Sequence, residues 1–349
     1  MRKLPRGVGA ALLAALLFGL STPLAKLLLT GVPPVLLAGL LYLGSGIGLT
    51  ALRSTRRRRG DQGPPLAAAD IPWLAGAVLL GGVAGPVLLM TGLRTTPAST
   101  TALLLNLEGV FTALLAWFVF RENFDRRVAL GMGLIVAGGA VLSWQGSEGV
   151  ALPAGALAVA AACLCWAIDN NLTQKVSSAD PMLVASVKGL VAGLANTTLG
   201  LLLRPELPSG GAVALAMLVG LIGYGLSLAL FVVALRHLGT ARTGAYFSLA
   251  PFMGAAVAIL IVSEPITPAL LVAGALMAAG TWLHLSERHE HEHSHEPVEH
   301  NHSHVHDEHH RHGHVAGTET AEPHAHRHVH DSLVHKHPHY PEIHHRHPH

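Results

Sequence analysis

Glu108 is the residue whose position most demands a chemical explanation. It stands near the middle of the apolar stretch PASTTALLLNLEGVFTALLAWFVFRE, Pro97 to Glu122. An acidic side chain at the centre of a bilayer costs about 2.5 to 3.5 kcal/mol on insertion scales, so such groups face a bundle interior or a wet cavity and mark a pathway. Helical spacing puts Thr101, Leu104, Leu105, Glu108 and Thr112 on one face, a narrow polar stripe on a greasy rod. A glutamate there could recognise an amine or load and release a proton. Its structural alternative is a neutral acid hydrogen-bonded to Thr101, Thr112 or a neighbouring helix.

Asp169 and Lys188 form a second candidate group. Two spans joined by a short hairpin place them at similar depth, roughly 8 to 10 Å from the helix ends at 1.5 Å rise per residue. The spacing predicts a salt bridge, either a gate that breaks during a cycle or a fixed pair that holds the hairpin. Asn170, Asn171, Gln174 and Asn196 could line the same path or bind helices together. Lys26, near the end of its span, is expected to snorkel to the interface.

The third group is the tail. All but His237 and His284 of the 25 histidines lie between His289 and His349, in alternations such as HEHEHSH, HNHSHVH and HAHRHVH. Imidazole is mostly neutral near pH 7, so His291, His293, His295, His302, His304, His306, His326, His328 and His330 are candidate ligands for Ni, Zn, Co or Cu. Without cysteine or fixed spacing, several weak, exchangeable sites are expected rather than one tetrahedral centre. The tail's composition cannot bury a core and predicts disorder. The two cysteines, Cys163 and Cys165, point to different faces of a helix and predict neither a disulfide nor a metal pair.

The elements that position these residues follow from composition. Half of the 349 residues are hydrophobic, 13% are charged, mean hydropathy is +0.45 and glycine is abundant at 38. That is a polytopic membrane protein of closely packed helices. The first apolar run, Gly7 to Ala25, is long for a signal sequence and lacks a clear cleavage site, so it is expected to be retained. Further runs at about 34–53, 71–93, 97–120, 127–144, 153–174, 181–203, 211–235, 240–263 and 267–286 bring the count to ten spans. Lysine and arginine cluster in alternate loops, from Arg2, Lys3 and Arg6 through Arg56 to Arg59, Arg126 and Arg127. This pattern predicts an inner-membrane protein with both termini in the cytoplasm.

The chain also echoes itself. Leu93 to Glu122 lies on Leu235 to Glu264 without a gap, matching Arg94 with Arg236, Thr101 with Thr243 and Glu122 with Glu264. Phe18-Gly19 likewise lies over Trp166-Ala167. Five spans plus five, with five odd, gives the inverted repeat of carriers that alternate access around a midplane site. The expected fold is therefore all-α, ten transmembrane helices in two inverted five-helix repeats (1–144 and 145–286) followed by a disordered cytoplasmic tail (287–349).

At FGLSTPLAK in the first span, CWAIDNN in the sixth, and Glu122 and Glu264 closing the fourth and ninth spans, the sequence resembles the EamA-type members of the drug/metabolite transporter superfamily. Pro251 looks like the proline such spans carry; its first-half counterpart is Gly109, a departure beside Glu108. The resemblance covers roughly 6–286 and implies a secondary transporter, not an enzyme, working on a small molecule in the lipid bilayer. Exporters of amino acids, metabolites and drugs and carriers of sugars share these motifs.

No nucleotide-binding loop occurs, and the loops are too short for a catalytic domain. A small organic metabolite is the favoured substrate, exported or exchanged, with the tail as a metal-binding regulator. The alternatives are efflux of a divalent metal or its chelate, and a membrane-anchored metal sensor or storage scaffold. Nucleic acid is not an expected partner; a homodimer is an admissible assembly.

Overall fold

Long runs of Leu, Ala, Val and Gly must satisfy every backbone N–H and C=O internally when lipid surrounds them, which leaves the helix as the available form. A computed structural model describes residues 6–58, 64–120, 126–143, 153–176, 179–205 and 207–285, with the backbone of four tail segments. The chain opens with α1 (Arg6–Leu28) and α2 (Pro34–Arg58). The third span follows a short turn, Ala68–Asp70, and consists of α3 (Ile71–Ala77), a π-helical stretch Val78–Ala84 and α4 (Gly85–Thr95). The fourth is broken into α5 (Ala98–Leu104) and α6 (Leu107–Phe120). Next come α7 (Arg126–Ser143), α8 (Ala154–Lys175) and α9 (Pro181–Leu203). The second half ends with α10 (Gly210–Gly220), a second π-helical stretch Leu221–Leu226, α11 (Ser227–Phe247), α12 (Ala250–Val262) and α13 (Pro268–Leu285).

Among the described residues, eight helical segments are long and apolar enough to cross a bilayer, and Ala250–Val262 and Pro268–Leu283 are shorter apolar helices. One boundary differs from the sequence expectation. The ninth span was expected to begin at a loop near 240, but α11 continues through that point to Phe247. The first-half turn contains Pro97, which cannot donate to a helix; the aligned residue is Gly239, which leaves the ladder intact.

Helices in lipid gain little from hydrophobic burial against one another, so close backbone approach decides which faces meet. The seam between α2 and α9 shows this. A side chain at Gly46 would strike Gly189 and Leu190, one at Gly193 would strike Leu43, and one at Gly200 would strike Leu36. Gly44 meets Met217 and Gly220 meets Leu41 in the same way, which carries α10 onto α2. Leu36, Leu37 and Leu41 of α2 join Leu89, Met90 and Leu93 of α4 and Val159 of α8 in one buried apolar cluster. Large apolar residues such as Leu202, Leu260 and Trp282 remain exposed, as a lipid-facing surface requires.

Residues Met1–Ser286 form one unit and Glu287–His349 another. In the second unit, for which disorder was expected, the described backbone is extended: β1 (His289–Ser294) pairs with β4 (Val334–His339), and β2 (Val298–His304) with β3 (His324–His330), both antiparallel. The His-X-His alternation has the period of a strand. Accordingly His291 stands opposite His337, His302 opposite His326 and His300 opposite His328. His295 and His306 lie outside the described residues, as does Glu122.

Candidate functional site

The fourth span breaks immediately before Glu108. Beyond Leu104 the ladder tightens, with the Leu105 N–H bifurcated between Thr101 and Ala102 at 3.2 and 3.3 Å and the Asn106 N–H reaching back to Leu103 at 3.1 Å. The Asn106 side chain donates to the same Leu103 carbonyl at 2.9 Å. Glu108 follows in the first turn of α6, where a helix N-terminus favours negative charge. Its Oε1 accepts a 2.8 Å hydrogen bond from the Asn170 amide of α8. The glutamate is half-buried and Asn170 is exposed.

The next residue back along α8 serves another partner. Asp169 accepts from Lys188 of α9 on both oxygens, at 2.6 and 2.7 Å, and from Thr173 at 2.8 Å. The two charged side chains are only 8% and 17% exposed, so the pair is enclosed and fully hydrogen-bonded. Asn171 turns back to the Ala167 carbonyl of its own helix. The stripe predicted on the fourth span is not continuous. The Thr101 and Thr112 hydroxyls are buried without a partner among the described residues, and neither reaches Glu108.

Tyr42, Gly81 and Tyr224 at this site carry no signal that sequence reasoning detected. Side chains from three other helices donate to carbonyls of the π-helical stretch Val78–Ala84. Tyr42 and Trp166 both donate to the Gly81 carbonyl at 2.9 Å, and Asn196 donates to Gly82 and Val83 at 3.1 and 3.4 Å. Any side chain at Gly81 would run into the Asp169 carboxylate, so glycine is what allows the ion pair to sit against the third span. Tyr224, in the second π-helical stretch, packs on Tyr42 and Phe18 with ring centroids 5.6 and 5.8 Å apart. The outcome is a polar cluster walled by aromatic rings, at the level where the fourth span breaks. The available signal was Gly81-Gly82 and Gly223-Tyr224-Gly225, which the repeat register lays near one another.

Lys26, expected to snorkel to the interface, finds backbone partners at a helix end. Its ammonium donates to the carbonyls of Leu93 and Thr96 at 2.6 and 2.8 Å and to Arg94 at 3.2 Å, at the carboxyl end of α4. Unpaired carbonyls and a negative helix end make that the better-solvated position for a cation. Among the described residues, no three of His, Cys, Asp and Glu come together as a metal site.

A bundle of apolar helices of these lengths defines an integral membrane protein. The chain belongs to the EamA-like transporter family, which it matches over residues 5–144 and again over 153–286. It is similar to an uncharacterised transporter of Methanothermobacter thermautotrophicus, 30% identical over 77% of this chain and 83% of that one. It is also similar to a Salmonella typhimurium protein named a probable amino-acid metabolite efflux pump, 25% identical over 79% of this chain and 93% of that one. A solved crystal structure shares the fold with a TM-score of 0.59 at 20% identity, over 79% of this chain and 95% of that one. The protein is thus a membrane transporter of small molecules and not an enzyme.

Proposed function

We propose that the protein is a secondary transporter that moves a small organic metabolite by alternating access, as an exporter or exchanger, with Glu108 binding the substrate's amine or exchanging a proton. The observation that carries this is the half-buried Glu108 carboxylate directly after the break in the fourth span, whose described partner is a neutral amide rather than a cation. Irregular backbone at membrane depth is tolerated where it lines a cavity, and broken spans build such sites in carriers. The Asp169–Lys188 pair neutralises itself, which leaves Glu108 as the carboxylate open to a ligand. Phe18, Tyr42 and Tyr224 supply the apolar and cation-attracting surfaces that an organic amine prefers. The Salmonella relative's name points to the same substrate class.

Efflux of a bare divalent ion is the weaker alternative, because the described part of the bundle offers no converging set of ligands. We assign metal binding to the tail, as an accessory to transport, and place the arginine-rich end with Arg53 and Arg56 in the cytoplasm of a cell with the protein in its inner membrane. The test is flux in Glu108→Gln. Loss of transport is expected, with excreted amines in deletion and overexpression strains naming the substrate; near-normal, pH-independent export by the variant would overturn the assignment.

A further inference from the structure

Towards the end that carries Lys26 and Glu264, α5, α1 and α12 pack backbone to backbone. A side chain at Gly19 would strike Ala250 and Gly254, and one at Gly254 would strike Gly19 and Ala102. Towards the opposite end, where Arg53 pairs with Asp180 at 3.1 Å, α6 packs on α8 and α7. The fourth and ninth spans therefore meet on the Lys26 side of their breaks, through α5 and α12. The breaks lie at Leu105-Asn106 and Ser248-Leu249, and the register that lays Leu93 on Leu235 also lays Asn106 on Ser248.

What fastens the closed end is a pair of charges on opposite helix ends. Pro97 stands at the N-cap of α5 and has no side-chain acceptor, so the first amides of α5 need one from elsewhere. Glu264 provides it. Its two carboxylate oxygens accept from the Ala98 and Ser99 N–H groups at 2.6 and 2.8 Å, across 166 residues of chain. Both amides belong to buried residues. Ser263, the one non-glycine residue with positive φ among those described (57°), caps α12 in the left-handed conformation and turns the chain so that Glu264 reaches them. On the other side of the same turn, Lys26 holds the carbonyl end of α4.

We infer that Glu264 is a conformational latch: its carboxylate bonds to the Ala98 and Ser99 amides hold the Lys26 end of the bundle shut, and their release is a step of the transport cycle. Opening this end separates α5 from α12, and the carboxylate and the two amides then find water instead of each other. The exchange is near balance because both states satisfy the same groups, which is what a reversible latch requires. The inference rests on the carrier reading of Glu108 but is tested without a substrate.

The experiment makes Ser99→Cys, a near-isosteric change, in a background with Cys163→Ala and Cys165→Ala. A membrane-impermeant methanethiosulfonate is applied to sealed vesicles of either orientation. With Glu264 intact, labelling is expected to be slow from both faces, because Ser99 is 2% exposed. Glu264→Ala is expected to raise labelling from the Lys26 face by about tenfold or more while leaving the other face unchanged. Glu264→Gln, isosteric and able to accept only one of the two bonds, is expected to fall between, and it carries the test if the alanine variant does not reach the membrane. Equal labelling in all variants, or an increase from both faces alike, would overturn the latch. Failure of the Glu108 assignment shows separately, as flux retained in Glu108→Gln.

Discussion

Asp169 and Lys188 show how far a single pair of side chains commits the fold. Removing one partner strands an enclosed charge, a loss of about 3 to 5 kcal/mol when such a pair is broken. Lys188→Met is therefore expected to lower the melting temperature in detergent far more than Asp169→Asn with Lys188→Met together. A charge swap, Asp169→Lys with Lys188→Asp, is expected to recover more flux than either single reversal; equal failure of all three would mean that the surroundings, and not the pair, decide. The spacing of Asp169 and Lys188 across a hairpin already implied their meeting. What it left open was Thr173 as the third member and Gly81 as the floor.

At the scale of elements, the two π-helical stretches are the informative feature. The displacement that lays Leu93 on Leu235 also lays Leu79 on Leu221 and Ala84 on Leu226, so the same irregularity stands at matching places in the third and eighth spans. Such stretches widen the helix and free carbonyls, and they concentrate where function needs an irregular backbone. Asn196→Leu would remove the amide that donates to Gly82 and Val83, an expected cost of about 1 to 3 kcal/mol readable as a drop in melting temperature. Gly46→Leu on the α2–α9 seam would force two backbones apart and is expected to cost about 1 to 3 kcal/mol or more by overpacking. Periodicity could not reveal the irregular stretches, because an apolar, glycine-rich run reads the same whether its carbonyls bond four or five residues ahead.

For the whole molecule, the division after Ser286 predicts that the bundle does not need its tail. Deletion of residues 287–349 is expected to leave the helical content and melting of the rest unchanged. Full-length protein is expected to take up several Ni or Zn ions near pH 7 and release them below about pH 6 as imidazole protonates, with the truncated protein as the blank. An unaltered calorimetric trace between the two proteins would remove the tail from metal chemistry.

Sequence by itself determined the membrane class, the positions of most spans and the oddity of Glu108, because lipid imposes a length and polarity rule on each segment separately. Only the tertiary structure decided that the fourth span breaks beside Glu108, that Asn170 rather than Thr101 or Thr112 holds its carboxylate, and that Glu264 reaches Ala98 and Ser99. Those facts depend on which backbone groups a neighbouring helix can reach. That reach is fixed by close approach at glycines and by the ends that loops expose, and neither is written in the polarity of a single stretch.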